Sequence, residues 1–245
     1  RKWGGYPALP GTAEPSREVL LRQYFDTMIL RDIVERFNVG KPQQCIELYH
    51  YLLSHIGRPY TLKSAYEFLK QASHATSRDA VRDYVACAED AWLLFAIPIH
   101  SQSKKEQERN YRKVYGIDWA LAIRNSSVWD GSYARALENM VYLHLRRNYP
   151  RVRYYLTRSK RQEVDFLVSN ERGKPISAIQ VSMDISHPDT LRREVEPLVA
   201  TARYFGTEQN LIITLSHEQR FDEEGIAIHA VPAWQWLLRE SAFDG

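Results

Sequence analysis

Cysteine is scarce in this chain of 245 residues: only Cys45 and Cys87 occur, each on a helical pattern with no partner at ligand spacing. Neither a disulfide scaffold nor a zinc site is therefore expected, and a reducing cytoplasm is the expected compartment. Long apolar runs are absent as well. The longest, Ala91 to Ile99, holds Pro98 and is far shorter than the ~20 residues a membrane span requires, so no membrane partner is expected. No signal-peptide pattern, internal repeat or low-complexity segment is present. The first residue is Arg1 rather than Met, which reads as a piece with an N-terminal part removed. The net charge of +3 is too small to imply nucleic acid by itself, and its distribution is more informative.

The length allows two domains with separate cores. Gly- and Pro-rich sequence from Gly4 to Pro15 reads as a loop, and Ser16 is the expected cap of a helix to about Phe37, with Leu21, Phe25, Met28, Ile29 and Ile33 at helical spacing. From Pro42 to Ile117 the pattern predicts three helices, the second capped by Thr61 and the third by Ser77. A strand from Leu93 to Ile99, a charged turn at Lys104–Arg109 and a return strand at Lys113–Tyr115 then form a hairpin. That order suggests a winged-helix-like module. The remainder switches to mixed α/β: a helix over about 132–147, strands near 152–156, 164–168 and 178–181, a helix near 190–204, strands near 211–214 and 226–230, and a closing helix after Pro232. The expected class is α+β, divided as a linker region 1–42, a winged-helix-like domain 43–117 and a mixed-sheet α/β domain 118–245.

The residues that point to chemistry are Glu138 on the first helix of the second half, Asp165 in Glu163-Val164-Asp165-Phe166, and Gln180-Val181-Ser182 one strand later. Restriction-type nucleases need an acid at a strand start, then a second acid and a lysine one strand on. The carboxylates hold Mg²⁺ against the scissile phosphate, and the lysine stabilises charge and activates water. Residues two apart on a strand share a face, so an acid-x-Lys pair aims both groups at one phosphate. Here Gln180 adds no charge and Ser182 stands where the lysine belongs, so the site is incomplete. Lys160, Lys174 and Arg192, with Arg193 beside it, are the candidates for a displaced basic group. The competing reading makes Glu163 and Asp165 a solvated hairpin face and pairs Glu138 with Arg135 or Arg146.

Arg151, Arg153, Arg158, Lys160 and Arg161 interleave with Tyr149, Tyr154 and Tyr155, a composition suited to phosphates and exposed bases. A charged edge strand guarded against aggregation would look the same. Arg78 and Arg82 lie one turn apart at the start of the third helix, where a recognition helix would meet a groove; Asp79, Asp83, Glu89 and Asp90 share it and would repel phosphates, so a winged helix that packs on protein is the rival reading. His50 and His55 are not on one helix face, His187 reads as a capping residue, and Trp119 and Trp129 read as packing anchors.

The succession Gly4-Gly5-Tyr6-Pro7, Tyr24-Phe25-Asp26-Thr27-Met28-Ile29-Leu30-Arg31-Asp32-Ile33, Leu137-Glu138-Asn139, Glu163-Val164-Asp165-Phe166 and Ile179-Gln180-Val181 spans almost the whole chain. It resembles the C-terminal region of prokaryotic AAA-type ATPases whose tail is a domain of unknown function with a PD-(D/E)XK, restriction-endonuclease-like fold. The resemblance implies a nuclease-like site at Glu138, Asp165 and Gln180 with Mg²⁺ as cofactor, and DNA or RNA as partner. It also implies an upstream ATPase module carrying the ATP site, and places Arg31 and Asp32 in a helical lid. No P-loop motif occurs in the chain, so ATP would act only through that module.

Overall fold

The computed structural model describes residues 3–72, 74–109, 111–126 and 133–238. The chain divides into two compact units, Arg1–Ala96 with Tyr111–Ser132, and Ile97–Asn110 with Tyr133–Gly245. The class is α+β, as the patterning predicts, with helices dominating the first unit and a mixed sheet the second. No helix among the described residues is long and apolar enough to cross a membrane.

In the first unit, α1 (Glu14–Thr27) starts earlier than expected. Ala13 rather than Ser16 occupies the cap position, and Pro15 sits in the first turn. Proline is tolerated there because its missing N–H would have no helical acceptor. The helix does not continue in α form to Phe37: from Met28 to Glu35 it widens to a π-helix that buries Ile29 and Ile33. Next come α2 (Pro42–Leu53), the two-residue strand β1 (Pro59–Tyr60), α3 (Leu62–Gln71) and α4 (Arg78–Asp90). Thr61 and Ser77 cap α3 and α4 as predicted, and Thr61 forms a reciprocal box with Ser64. The strands β2 (Leu94–Pro98) and β3 (Arg112–Gly116) join β1 in the order β1-β3-β2. Two residues leave no alternation to read, so β1 has no sequence signal. The segment Lys104–Arg109, which belongs to the second unit, is a short helix, α5, rather than a turn. Its Ser-x-x-Glu start explains this: the Ser103 hydroxyl accepts the Glu106 N–H at 3.3 Å.

The last helix of this unit, α6 (Trp119–Arg124), hangs on Asp118. One Asp118 carboxylate oxygen accepts the N–H groups of Ala120 (2.8 Å) and Leu121 (3.0 Å). The other accepts the N–H of Gly5 at 2.6 Å, from 113 residues away. Asp118 is buried, and Gly4, at φ +69°, lies so close that an added Cβ would fall 2.2 Å from the carboxylate. The Gly4-Gly5-Tyr6-Pro7 motif is therefore a backbone cradle for a buried charge. Tyr6 continues the latch by stacking on Tyr24, with centroids 4.9 Å apart. Burial, with the Asp118 charge, pushes the Tyr6 phenol up to about 12.

The second unit runs α7 (Tyr133–Asn148), β4 (Arg151–Leu156), β5 (Glu163–Ser169), β6 (Pro175–Ser182), α8 (Pro188–Phe205), β7 (Gln209–Thr214), β8 (Gln219–Glu223), β9 (Ile226–Pro232) and α9 (Ala233–Leu237). Sheet order is β4-β5-β6-β7-β9-β8. Strands β4, β5 and β6 pair antiparallel, β6, β7 and β9 parallel, and β8 returns antiparallel on the edge. Every strand expected here forms, because each is an apolar run with its own turn signals. Only β8 is unforeseen: it is polar and mostly exposed, so it carries no burial pattern. One sheet face, with Leu167, Ala178, Ile212 and Ala230, packs under Val195, Leu198 and Val199 of α8. The opposite face meets α7 through Phe166, which stacks on Tyr142. Gly206, in the left-handed region at φ +68°, ends α8. The predicted anchor Trp129 lies outside the described residues.

Candidate functional site

The β5–β6 hairpin splits where Asp165 faces Gln180. Backbone pairing runs from the turn to Phe166↔Ile179, and beyond that side chains replace it. The Asp165 N–H donates to Gln180 Oε1 at 2.8 Å, and Gln180 Nε2 donates to the Glu163 carbonyl at 3.2 Å. The Val181 N–H donates to Asp165 Oδ2 at 2.9 Å. On its other edge β5 bulges: between Arg153↔Leu167 and Tyr155↔Val164, β4 advances two residues while β5 advances three. Such bulges re-aim a side chain, and this one lies at Asp165.

Below them α8 contributes a residue that sequence reasoning missed. Glu194 is a buried carboxylate on the sheet-facing stripe of Leu191, Val195, Leu198 and Val199. Burial raises its pKa, Arg193 opposes that from 2.8 Å, and the negative charge of Asp165 adds to the rise. The signal existed: an acid set inside an apolar helical stripe is rarely buried without a reason. Asp165, Gln180 and Glu194 are thus brought together. Glu138 is half-buried on α7, which covers the opposite face.

Of the basic candidates, Arg193 pairs with Glu194 at 2.8 Å, and the others are placed elsewhere. Lys160 pairs with Glu196 at 3.2 Å in an exposed ion pair, and Arg192 acts on the same carboxylate. Lys174 sits in the turn that closes the hairpin, six residues from Gln180. At ~3.3 Å per residue that is about 20 Å, beyond the reach of a lysine. The Ser182 hydroxyl donates to the Asp184 carbonyl at 3.0 Å. Among the described residues no three His, Cys, Asp or Glu side chains gather as a metal cage. Mg²⁺ is held through one or two carboxylates with waters completing its octahedron, and the carboxylates this site offers are Asp165 and Glu194. Gln180 is committed to the β5 backbone through both amide groups, and burial disfavours a charged Glu194.

Two family models match the chain: the domain of unknown function DUF8612 over residues 2–128, and the domain of unknown function DUF4143 over residues 133–236. The chain belongs to the DUF8612 family. It is also similar to the uncharacterized protein MJ1544 of Methanocaldococcus jannaschii, 26% identical over 97% of this chain and 54% of that protein. An uncharacterized protein of Haemophilus influenzae is 24% identical over 95% of this chain and 56% of its own length. The chain spans about half the length of the curated relatives it matches. No solved structure matches it. The DUF8612 match holds the Asp118 latch, and the DUF4143 match holds Asp165, Gln180 and Glu194.

The arginines of β4 and the loop after it form a second cluster. Arg151 passes close over Gly173, and Arg153 is half-buried, its pKa lowered by burial and by Arg151. The Arg158 guanidinium lies 4.2 Å over the Tyr204 ring, and Arg161 is exposed, 3.9 Å from Glu106. In the first unit, Arg82 pairs with Asp79 at 3.0 Å on its own helix and Arg78 lies 5.7 Å over Tyr66.

Proposed function

We propose that this chain is the nucleic-acid-binding tail of an AAA-type ATPase, a winged-helix-like module followed by a restriction-endonuclease-like domain that does not cleave. One observation carries the loss of cleavage: the Gln180 amide bridges Asp165 N–H and the Glu163 carbonyl, so it closes the strand pair instead of facing a metal. Ser182 offers no ammonium, and Lys160 is engaged with Glu196. The order α2, β1, α3, α4, β2, β3 with a three-stranded sheet supports the winged-helix reading. One helix, three antiparallel strands, a second helix and a parallel strand support the nuclease-like one. The relatives' additional length leaves room for an ATPase module, through which alone ATP would act.

For the first unit a protein partner is the stronger reading, because Arg82 and Arg78 are already engaged by Asp79 and Tyr66. The test is to mix the chain with DNA and RNA, with Mg²⁺ or Mn²⁺, at low salt. Band shifts without cleavage are expected. Cleavage abolished by Asp165→Ala would establish an active nuclease with a displaced basic group. Absence of any shift would favour a protein-interaction tail.

A further inference from the structure

In the second unit a cavity of about 330 Å³ opens between the segment before α5, the end of β4 and the end of α8. Its walls are rings. His100 meets Phe205 edge-on with centroids 5.1 Å apart, Tyr155 meets Phe205 at 5.0 Å, and Tyr204 meets Phe205 at 4.6 Å. Its rim is cationic. Arg158 is held there over Tyr204 at 4.2 Å, and Arg161 stands across from Glu106, which accepts a hydrogen bond from the Ser101 hydroxyl at 2.5 Å. Burial, with Arg153 nearby, lowers the His100 pKa, so this ring faces the cavity as a neutral imidazole.

We infer that this cavity takes one unpaired base of a single-stranded nucleic acid, stacked on Tyr204 beside Phe205, with the adjoining phosphates on Arg158 and Arg161. The volume is near the lower end of the ~300–1,000 Å³ range of small-ligand sites, enough for a single nucleotide. A duplex cannot enter, because its bases are inaccessible until unstacked and turned out. Aromatic faces accept any base, while guanidinium groups neutralise phosphate, so the site reads strandedness rather than sequence. This inference rests on the nucleic-acid-binding reading above and names its substrate class.

The test uses the 245-residue chain and a short single-stranded oligonucleotide carrying 2-aminopurine, beside the same sequence as a duplex. Stacking quenches the probe, so emission should fall on binding the single strand. Tyr204 is 45% exposed, so Tyr204→Ala should fold normally. It should weaken single-strand binding about tenfold and remove the quench, because one base–aromatic stack is worth ~1–3 kcal/mol. Tyr204→Phe should retain both, and duplex affinity should not change. Unchanged quench and affinity in Tyr204→Ala would overturn the cavity; if Arg153→Glu still weakened binding, the broader reading would stand. Binding of neither strand form would overturn both.

Discussion

Gly4→Ala should destabilise the first unit severely, and the structure says why. The new Cβ would fall 2.2 Å from Asp118 Oδ1, and alanine would have to adopt φ +69°. The left-handed conformation costs about 1–2 kcal/mol. Displacing the carboxylate removes the cap of α6, worth about 1 kcal/mol, and the charged bond to the Gly5 N–H, worth about 1.5–3 kcal/mol. A loss of about 3.5–6 kcal/mol is expected, a large share of the stability of a small unit. The assay is urea unfolding followed by the fluorescence of Trp3 and Trp119. A second background isolates the cause: with Asp118→Ala the clash disappears, so Gly4→Ala should then cost only the conformational ~1–2 kcal/mol. Equal costs in the two backgrounds, or a single-mutant loss below ~1 kcal/mol, would refute the latch.

Gln180→Ala should destabilise the second unit by about 2–3 kcal/mol, since it leaves the Asp165 N–H and the Glu163 carbonyl without their partner; urea midpoints measure this. Glu194→Gln should raise stability at neutral pH. The folded carboxyl has a raised pKa, so its contribution is full below the ordinary carboxylate range and is lost as pH rises; the gain should vanish on acidification. His100 and His144 have lowered pKa values, mainly from burial, so the unfolded chain binds more protons below about 6.5. Thermal unfolding should therefore show the second unit weakening as pH falls through that value, and His144→Leu should flatten the slope.

What could be read along the chain was whatever is local. Thr61 and Ser77 announce α3 and α4 because a cap acts over three residues, and each apolar strand of the second unit carries its own alternation. The starts and stops that failed were local too, but they competed. Pro15 extends α1 past Ser16, and the Ser103–Glu106 pair turns an apparent loop into α5. The polar strand β8 exists only because β9 lends it hydrogen bonds.

The amino-acid sequence by itself determined the α+β class, the element order of the second unit and the position of Asp165 on a strand next to Gln180. Periodicity and turn chemistry are properties of neighbouring residues, so no tertiary contact was needed to see them. The tertiary structure decided what those groups do. Gln180 reaches across 15 residues to close the split hairpin, Glu194 is buried on a different element within the field of Asp165, and Gly5 meets Asp118 across 113 residues. A side chain's hydrogen-bonding capacity is written in its identity, but which partner satisfies it is settled only when burial removes water as the alternative.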